Sequence, residues 1–292
     1  GFVWKYALGF DVPQQRQHPL TIAPEELGKL VHELLRRAVD AIEPEPGYAK
    51  ASDVQIENAL EDAAKVVHAT WPLERSVPPR LLWGHTVEYA KAMALAGLLR
   101  KDINEEGTRS WTEVPFGQPA GFKAGRELPW DPTIPVEIPG TPVRLRGTID
   151  RLDMRSNPFA VRVTDYKTGT PPHNAARIVI GGGAELQRAL YTLASLQLLE
   201  ERPMVRARLL YLAGEPLEVK LQDADVVLAR IGEFVSEVVA LLQKGNAVPG
   251  RLAYDRFNDL RLALPASPGY ERRKRIAFGR AAGSLAKFWS AV

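Results

Sequence analysis

Residues 146–169 read RGTIDRLDMRSNPFAVRVTDYKTG, and the fold is legible from this stretch outward. Two strand-like runs, Val143–Asp153 and Ala160–Lys167, flank Arg155-Ser156-Asn157-Pro158, a turn signal. Strand residues alternate between faces, so Asp165 and Lys167 share one face, about 6.5–7 Å apart. A hairpin closed about the Asn157–Pro158 bond sets Asp150 opposite Asp165 and Thr148 opposite Lys167. Directly opposed residues share a face with their Cβ atoms about 4.5–5.5 Å apart. One side of one hairpin then carries two carboxylates and a lysine.

Upstream, the first hundred residues read as mostly helical. Residues 24–42 form an amphipathic helix, with Pro24 suited to its first position and Glu25 and Glu26 placed where the helix dipole favours acids. Leu27, Leu30, Val31, Leu34, Leu35 and Ala38 recur at helical spacing. Further helices are expected near 53–69 and 81–101. From 111 to 142 the chain is rich in Pro and Gly, with strand-like pieces at Thr112–Phe116 and Thr133–Ile138. Downstream, Pro171-Pro172 ends the second strand of the hairpin, and Gly181-Gly182-Gly183 precedes a helix at about 184–200. A strand at 204–213 and a helix at 223–243 complete an α/β core. The tail, 250–292, is expected to hold one basic helix. These boundaries divide the chain into a helical N-terminal part (1–110), an α/β core (111–245) and a C-terminal helical tail (246–292).

Composition bounds the chemistry. A chain of 292 residues with 45% hydrophobic content can bury a sizeable core, and a net charge of +3 permits nucleic-acid binding without arguing for it. With no cysteine, disulfides, thiolate zinc sites, cysteine-held iron–sulfur clusters and cysteine nucleophiles are excluded. No stretch approaches the roughly 20 apolar residues that span a bilayer. The apolar start, GFVWKYALGF, lacks a cleavage-site pattern, and its first residue is Gly rather than Met. These features suggest a soluble, reducing, intracellular setting and a segment of a longer protein.

Opposed carboxylates repel unless something compensates them. A hard divalent cation such as Mg²⁺, which prefers oxygen ligands, does so. Such an ion acidifies water and neutralises charge on a phosphate. A neighbouring lysine can orient that water and stabilise the anionic transition state. The geometry suggests metal-assisted phosphodiester hydrolysis. Against it stands the plainer reading of Asp-x-Lys on a strand as a solvated ion pair.

At these residues the sequence resembles the RecB-like nucleases of the PD-(D/E)XK superfamily, in four pieces and in the family's order. They are L-G-x-x-V-H-x-x-L (Leu27, Gly28, Val31, His32, Leu35), G-x-I-D (Gly147, Ile149, Asp150), D-Y-K-[ST]-G (Asp165, Tyr166, Lys167, Thr168, Gly169) and Q-x-x-x-Y (Gln187, Tyr191). The likeness is strongest to the nuclease domain at the C-terminus of AddB-type helicase–nuclease subunits. It implies a restriction-endonuclease-like fold, a mixed central sheet flanked by helices. It also implies a metal held by His32, Asp150, Asp165 and the Tyr166 carbonyl, with Lys167 as the catalytic lysine and Gln187 and Tyr191 placing the DNA strand. The expected activity is a Mg²⁺-dependent deoxyribonuclease, with Mn²⁺ as substitute. It would be an exonuclease acting on linear DNA ends in repair or recombination, beside a helicase region or subunit, in the bacterial cytoplasm near the nucleoid. Many relatives hold an iron–sulfur cluster on four cysteines; this chain has no cysteine to do so.

Other residues carry plainer readings. Asp153 points away from Asp150's face, which favours a salt bridge with Arg151 or Arg155. Glu113 could add an acid to the site, but structural or surface duty is the preferred reading. Gly181–Gly183 reads as a flexible connection rather than a phosphate cradle, since no Lys-Ser/Thr follows. The run Arg272, Arg273, Lys274, Arg275 reads as a solvated face, with phosphate contact as its alternative. His18, His68, His85 and His173 show no partner spacing. The rival function is a catalytically silent nuclease fold serving as a DNA-binding or scaffolding module. An α/β hydrolase lacks its Gly-x-Ser-x-Gly elbow here.

Overall fold

A computed structural model describes residues 9, 20–100, 107–157, 159–175, 180–183, 185–201, 203–246 and 269–289; His18, the start of the chain and residues 250–268 of the tail lie outside them. Helix α1 (Pro24–Ile42) forms where its apolar period predicts, and its stripe from Leu30 to Ile42 is buried. Helix α2 (Asp53–Glu74) opens on a capping box in which Ser52 and Gln55 satisfy each other's backbone amides. It runs past the expected end near 69 and through Pro72. Proline has no N–H to give the carbonyl one turn back. The indole Nε1 of Trp83 donates to that carbonyl, His68 O, at 3.0 Å. Helix α3 (Arg80–Leu98) follows, and the three helices share one apolar core.

The strands are β1 (Thr108–Phe116), β4 (Gly147–Ser156), β5 (Phe159–Lys167), β6 (Met204–Tyr211) and β7 (Leu217–Lys220), in the sheet order β1-β4-β5-β6-β7. Only β5 and β6 run parallel; the other neighbours are antiparallel. The parallel step needs a crossover, and α4 (Gln187–Leu198) supplies it. A small ribbon, β2 (Val136–Glu137) with β3 (Arg144–Leu145), stands where a longer strand at 133–138 is expected. Strand β7 has no counterpart in the sequence reading: it is four residues long with only Val219 buried, too short for a periodic signal. The expected boundary at 110/111 falls inside β1.

Helices cover both faces of this mixed sheet. On one face α1–α3 pack on Tyr166, Leu210 and Leu212. A Cβ at Gly97 of α3 would stand 2.9 Å from Leu212, so the absence of a side chain there lets the helix lie close to the sheet. On the other face Trp111, Leu152, Val161 and Val163 meet α4 and α5 (Ala224–Gln243). Burial at this scale is the main stabilising term for both layers. The tail holds a basic helix, α6 (Gly269–Ala282), and a short α7 (Ala286–Trp289).

Candidate active site

The β4–β5 ladder has the register the hairpin requires, from Ser156↔Phe159 to Arg151↔Thr164. Its last pair lies one residue short of Asp150 and Asp165, and there the side chain takes over from the ladder. The Tyr166 amide donates to Asp150 Oδ2 at 2.8 Å. From the other side β1 brings Glu113 level with Asp150, between the pairs Thr112↔Arg151 and Val114↔Ile149. Glu113 has φ 44°, a left-handed conformation that a non-glycine residue adopts at a cost. Helix α1 contributes His32, whose Nε2 is 3.1 Å from Tyr166 O and whose Nδ1 is 3.7 Å from Asp150 Oδ2. A carbonyl only accepts, so Nε2 carries the proton and Nδ1 faces the carboxylate. His32, Glu113 and Asp150 each offer a ligand atom, all within 4.8 Å of one another.

This cluster is short of positive charge. Burial, reinforced by the charge of Asp165, pushes the Asp150 carboxyl up to about 8. Burial and the neighbouring Asp150 push Glu113 up to about 7. Burial also raises Asp165, against the pull of Lys167. Two desolvated carboxylates and an imidazole make an oxygen-and-nitrogen donor set suited to a divalent cation, which would offset the repulsion that raises these carboxyls. A pocket of about 10 Å³, bounded by His32, Glu113, Asp150 and Arg151, lies at the cluster.

Asp165 stands outside the three-residue cluster. Its Oδ2 is 2.6 Å from Lys167 Nζ, and Lys167 also donates to Gln187 Oε1 at the start of α4. Tyr191, one turn on from Gln187, is a buried phenol whose pKa burial raises. The sequence-predicted residues are thus brought together as two adjoining groups. His32, Asp150 and the Tyr166 carbonyl form one; Asp165, Lys167, Gln187 and Tyr191 form the other. His32, Glu113, Tyr166 and Lys167 line an open cleft of about 610 Å³, with α1 on one wall and Tyr166–Gly169 on the other. Gly28 lies on the α1 wall; a Cβ there would meet Thr168 Oγ1 at 3.4 Å, so the helix lies close to the D-Y-K-T-G segment.

Glu113 is the residue that the sequence reading undervalued. Some thirty residues separate it from β4, so nothing local sets its register with Asp150. Asp153 is paired as expected with Arg151 (3.2 Å), and also with Arg162 (3.0 Å). Gly181–Gly183 forms a 3-10 turn. His68 and His85 line a separate cleft between α2 and α3. Arg272, Arg273 and Lys274 are exposed on α6. No helix among the described residues is long and apolar enough to cross a membrane.

No curated protein matches the chain. The solved structure titled "Crystal structure of SSO0001" is similar at 14% identity over 87% of this chain and 90% of that one, with a TM-score of 0.31. The family model described as the PD-(D/E)XK nuclease superfamily matches residues 1–252, most of the length, and the chain belongs to that superfamily.

Proposed function

We propose that this protein is a Mg²⁺-dependent deoxyribonuclease of the RecB-like branch, similar to the AddB-type nuclease domain. In this reading it degrades linear DNA from its ends in repair or recombination, beside a helicase region or subunit. The observation that carries the proposal is the convergence of His32, Glu113 and Asp150 within 4.8 Å, next to the Asp165–Lys167 pair, at the end of an open cleft.

His32, Asp150, Asp165 and the Tyr166 carbonyl would hold the ion, with Glu113 as a further carboxylate, and Mn²⁺ would serve in its place. When bound, the cation supplies acidification of the attacking water and charge neutralisation at the phosphate. The protein's own part is positioning and electrostatics. Lys167 Nζ is tethered on one side by Asp165 and on the other by Gln187. Its remaining N–H is then free to orient the incoming water and to stabilise negative charge on the phosphoryl oxygens. Gln187 fixes the lysine from α4, and Gln187 and Tyr191 would border the path of the strand. The open cleft leaves room for a polymer.

The test is incubation of end-labelled single- and double-stranded DNA with Mg²⁺, Mn²⁺ or EDTA. Wild type should degrade DNA only with metal. Lys167→Ala, folded by circular dichroism, should lose about 10²–10³-fold in rate, the usual scale for removing one group that stabilises transition-state charge. Degradation in EDTA, or full activity in Lys167→Ala, would overturn the reading. A folded wild type that neither degrades DNA nor binds Mn²⁺ in calorimetry would be the silent module instead.

A further inference from the structure

We propose that Arg151 is a positioning residue that, from inside the core, fixes the placement of Tyr166 and through it the ligand end of the site; this rests on the metal-dependent reading above. Tyr166 joins both groups of the site. Its N–H donates to Asp150 Oδ2 at 2.8 Å, its carbonyl accepts from His32 Nε2 at 3.1 Å, and Lys167 is the next residue. A shift of Tyr166 therefore moves a carboxylate, an imidazole and the lysine together.

The Tyr166 side chain is held at its far end by Arg151. The Arg151 side chain is fully buried, and its Nη1 donates to Tyr166 Oη at 2.5 Å and to Tyr48 Oη at 3.2 Å. The guanidinium lies over both phenol rings, 5.0 Å from the centroid of Tyr48 and 5.5 Å from that of Tyr166. Arg151 is itself locked: Nε donates to Asp153 Oδ2 at 3.2 Å, and Asp153 Oδ1 accepts from Ser110 Oγ of β1 at 2.8 Å. Tyr48 donates to Leu98 O at the end of α3. Two strands and the helical layer thus converge on one guanidinium, which also borders the small pocket at the ligand cluster.

Stability alone does not account for this arrangement. Burying an arginine has a desolvation cost, and well-packed apolar residues in place of a buried ion pair are often as stable or more so. What an apolar side chain could not do is hold the Tyr166 hydroxyl in one place. In metal sites, groups that orient the ligands in this way typically contribute about 10–100-fold in affinity.

The experiment is calorimetric titration of the full chain with Mn²⁺. Tyr166→Phe keeps the ring and the backbone and removes only the hydroxyl. It should raise the Kd for Mn²⁺ by about 10–100-fold, and its DNA cleavage should recover as Mn²⁺ is raised. Arg151→Lys, which keeps the charge and loses the fork, should act in the same direction. Leu60→Ala in the α2 core serves as a control that lowers stability and leaves Kd unchanged. If wild type binds Mn²⁺ and Tyr166→Phe binds it equally well, or if Leu60→Ala weakens binding as much, the positioning role is overturned while the nuclease reading stands. If wild type binds no Mn²⁺, the metal-dependent reading fails and takes this role with it. Should Arg151→Lys not fold, Tyr166→Phe alone decides.

Discussion

Asp150 and Asp153 stand three residues apart on β4, both largely buried, and their surroundings are opposite. Asp153 lies against Arg151 and Arg162 and accepts from Ser110; those arginines outweigh its burial and hold its carboxyl down at about 2. Asp150 has one backbone amide, a histidine at 3.7 Å, and two neighbouring acids, Glu113 and Asp165. Its carboxyl is pushed up to about 8. The fold keeps one aspartate ionised by pairing it from within, and keeps the proton on its neighbour at neutral pH. Holding that proton where an unfolded carboxyl would have lost it costs free energy, which a cation bound at the proposed site would recover. Perturbed carboxyls of this kind gather at functional sites.

The comparison can be broken most sharply at Asp153. Asp153→Ala strands the buried Arg151 and Arg162, and should cost about 3–5 kcal/mol in denaturant unfolding, the scale for removing one partner of a buried pair. Asp150→Asn should go the other way. It removes the cost of protonating a buried carboxyl on folding, so at neutral pH the metal-free protein should gain on the order of 1–2 kcal/mol, while the rise in Tm that Mn²⁺ gives wild type disappears. Equal destabilisation by both variants would mean that the two aspartates do the same structural work.

Titration sharpens the contrast. The folded Asp153 has a pKa of about 2 against an ordinary 3.8, so its stabilisation is complete above 3.8 and is lost as pH falls through about 2. The folded Asp150 has a pKa of about 8 against 3.8, so its contribution is complete below 3.8 and is lost as pH rises through about 8. Glu113, at about 7, adds to the same loss. The Tm of the metal-free protein should therefore decline from about pH 4 to about pH 8, and saturating Mg²⁺ should flatten the slope. A decline that Mg²⁺ leaves untouched would separate it from the ligand cluster. The smallest effect is expected at Glu113→Gln, which keeps the left-handed backbone and removes one acid. Its Tm without metal should rise by about 2–4 °C for each kcal/mol of repulsion relieved, and a fall would show Glu113 to be structural.

Local patterns set much of this protein. The stripe from Leu30 to Ile42 placed α1, because a period of 3.6 leaves one face apolar. A turn of a few residues after Arg155 fixed the β4–β5 register, because a short connection leaves few alternatives. That register, with D-Y-K-T-G beside it, made Asp150, Asp165 and Lys167 visible, and the spacing of Gln187 and Tyr191 put them on one helix face. What only the tertiary structure decided are the meetings across long stretches of chain. Glu113 comes level with Asp150 through the β1–β4 pairing, and His32 reaches the Tyr166 carbonyl from a helix more than a hundred residues away. Trp83 supplies the donor that Pro72 lacks, and Tyr48 shares Arg151 with Tyr166. No period or spacing encodes these contacts, because they depend on how the packed helices and the sheet place backbones whose own order is local.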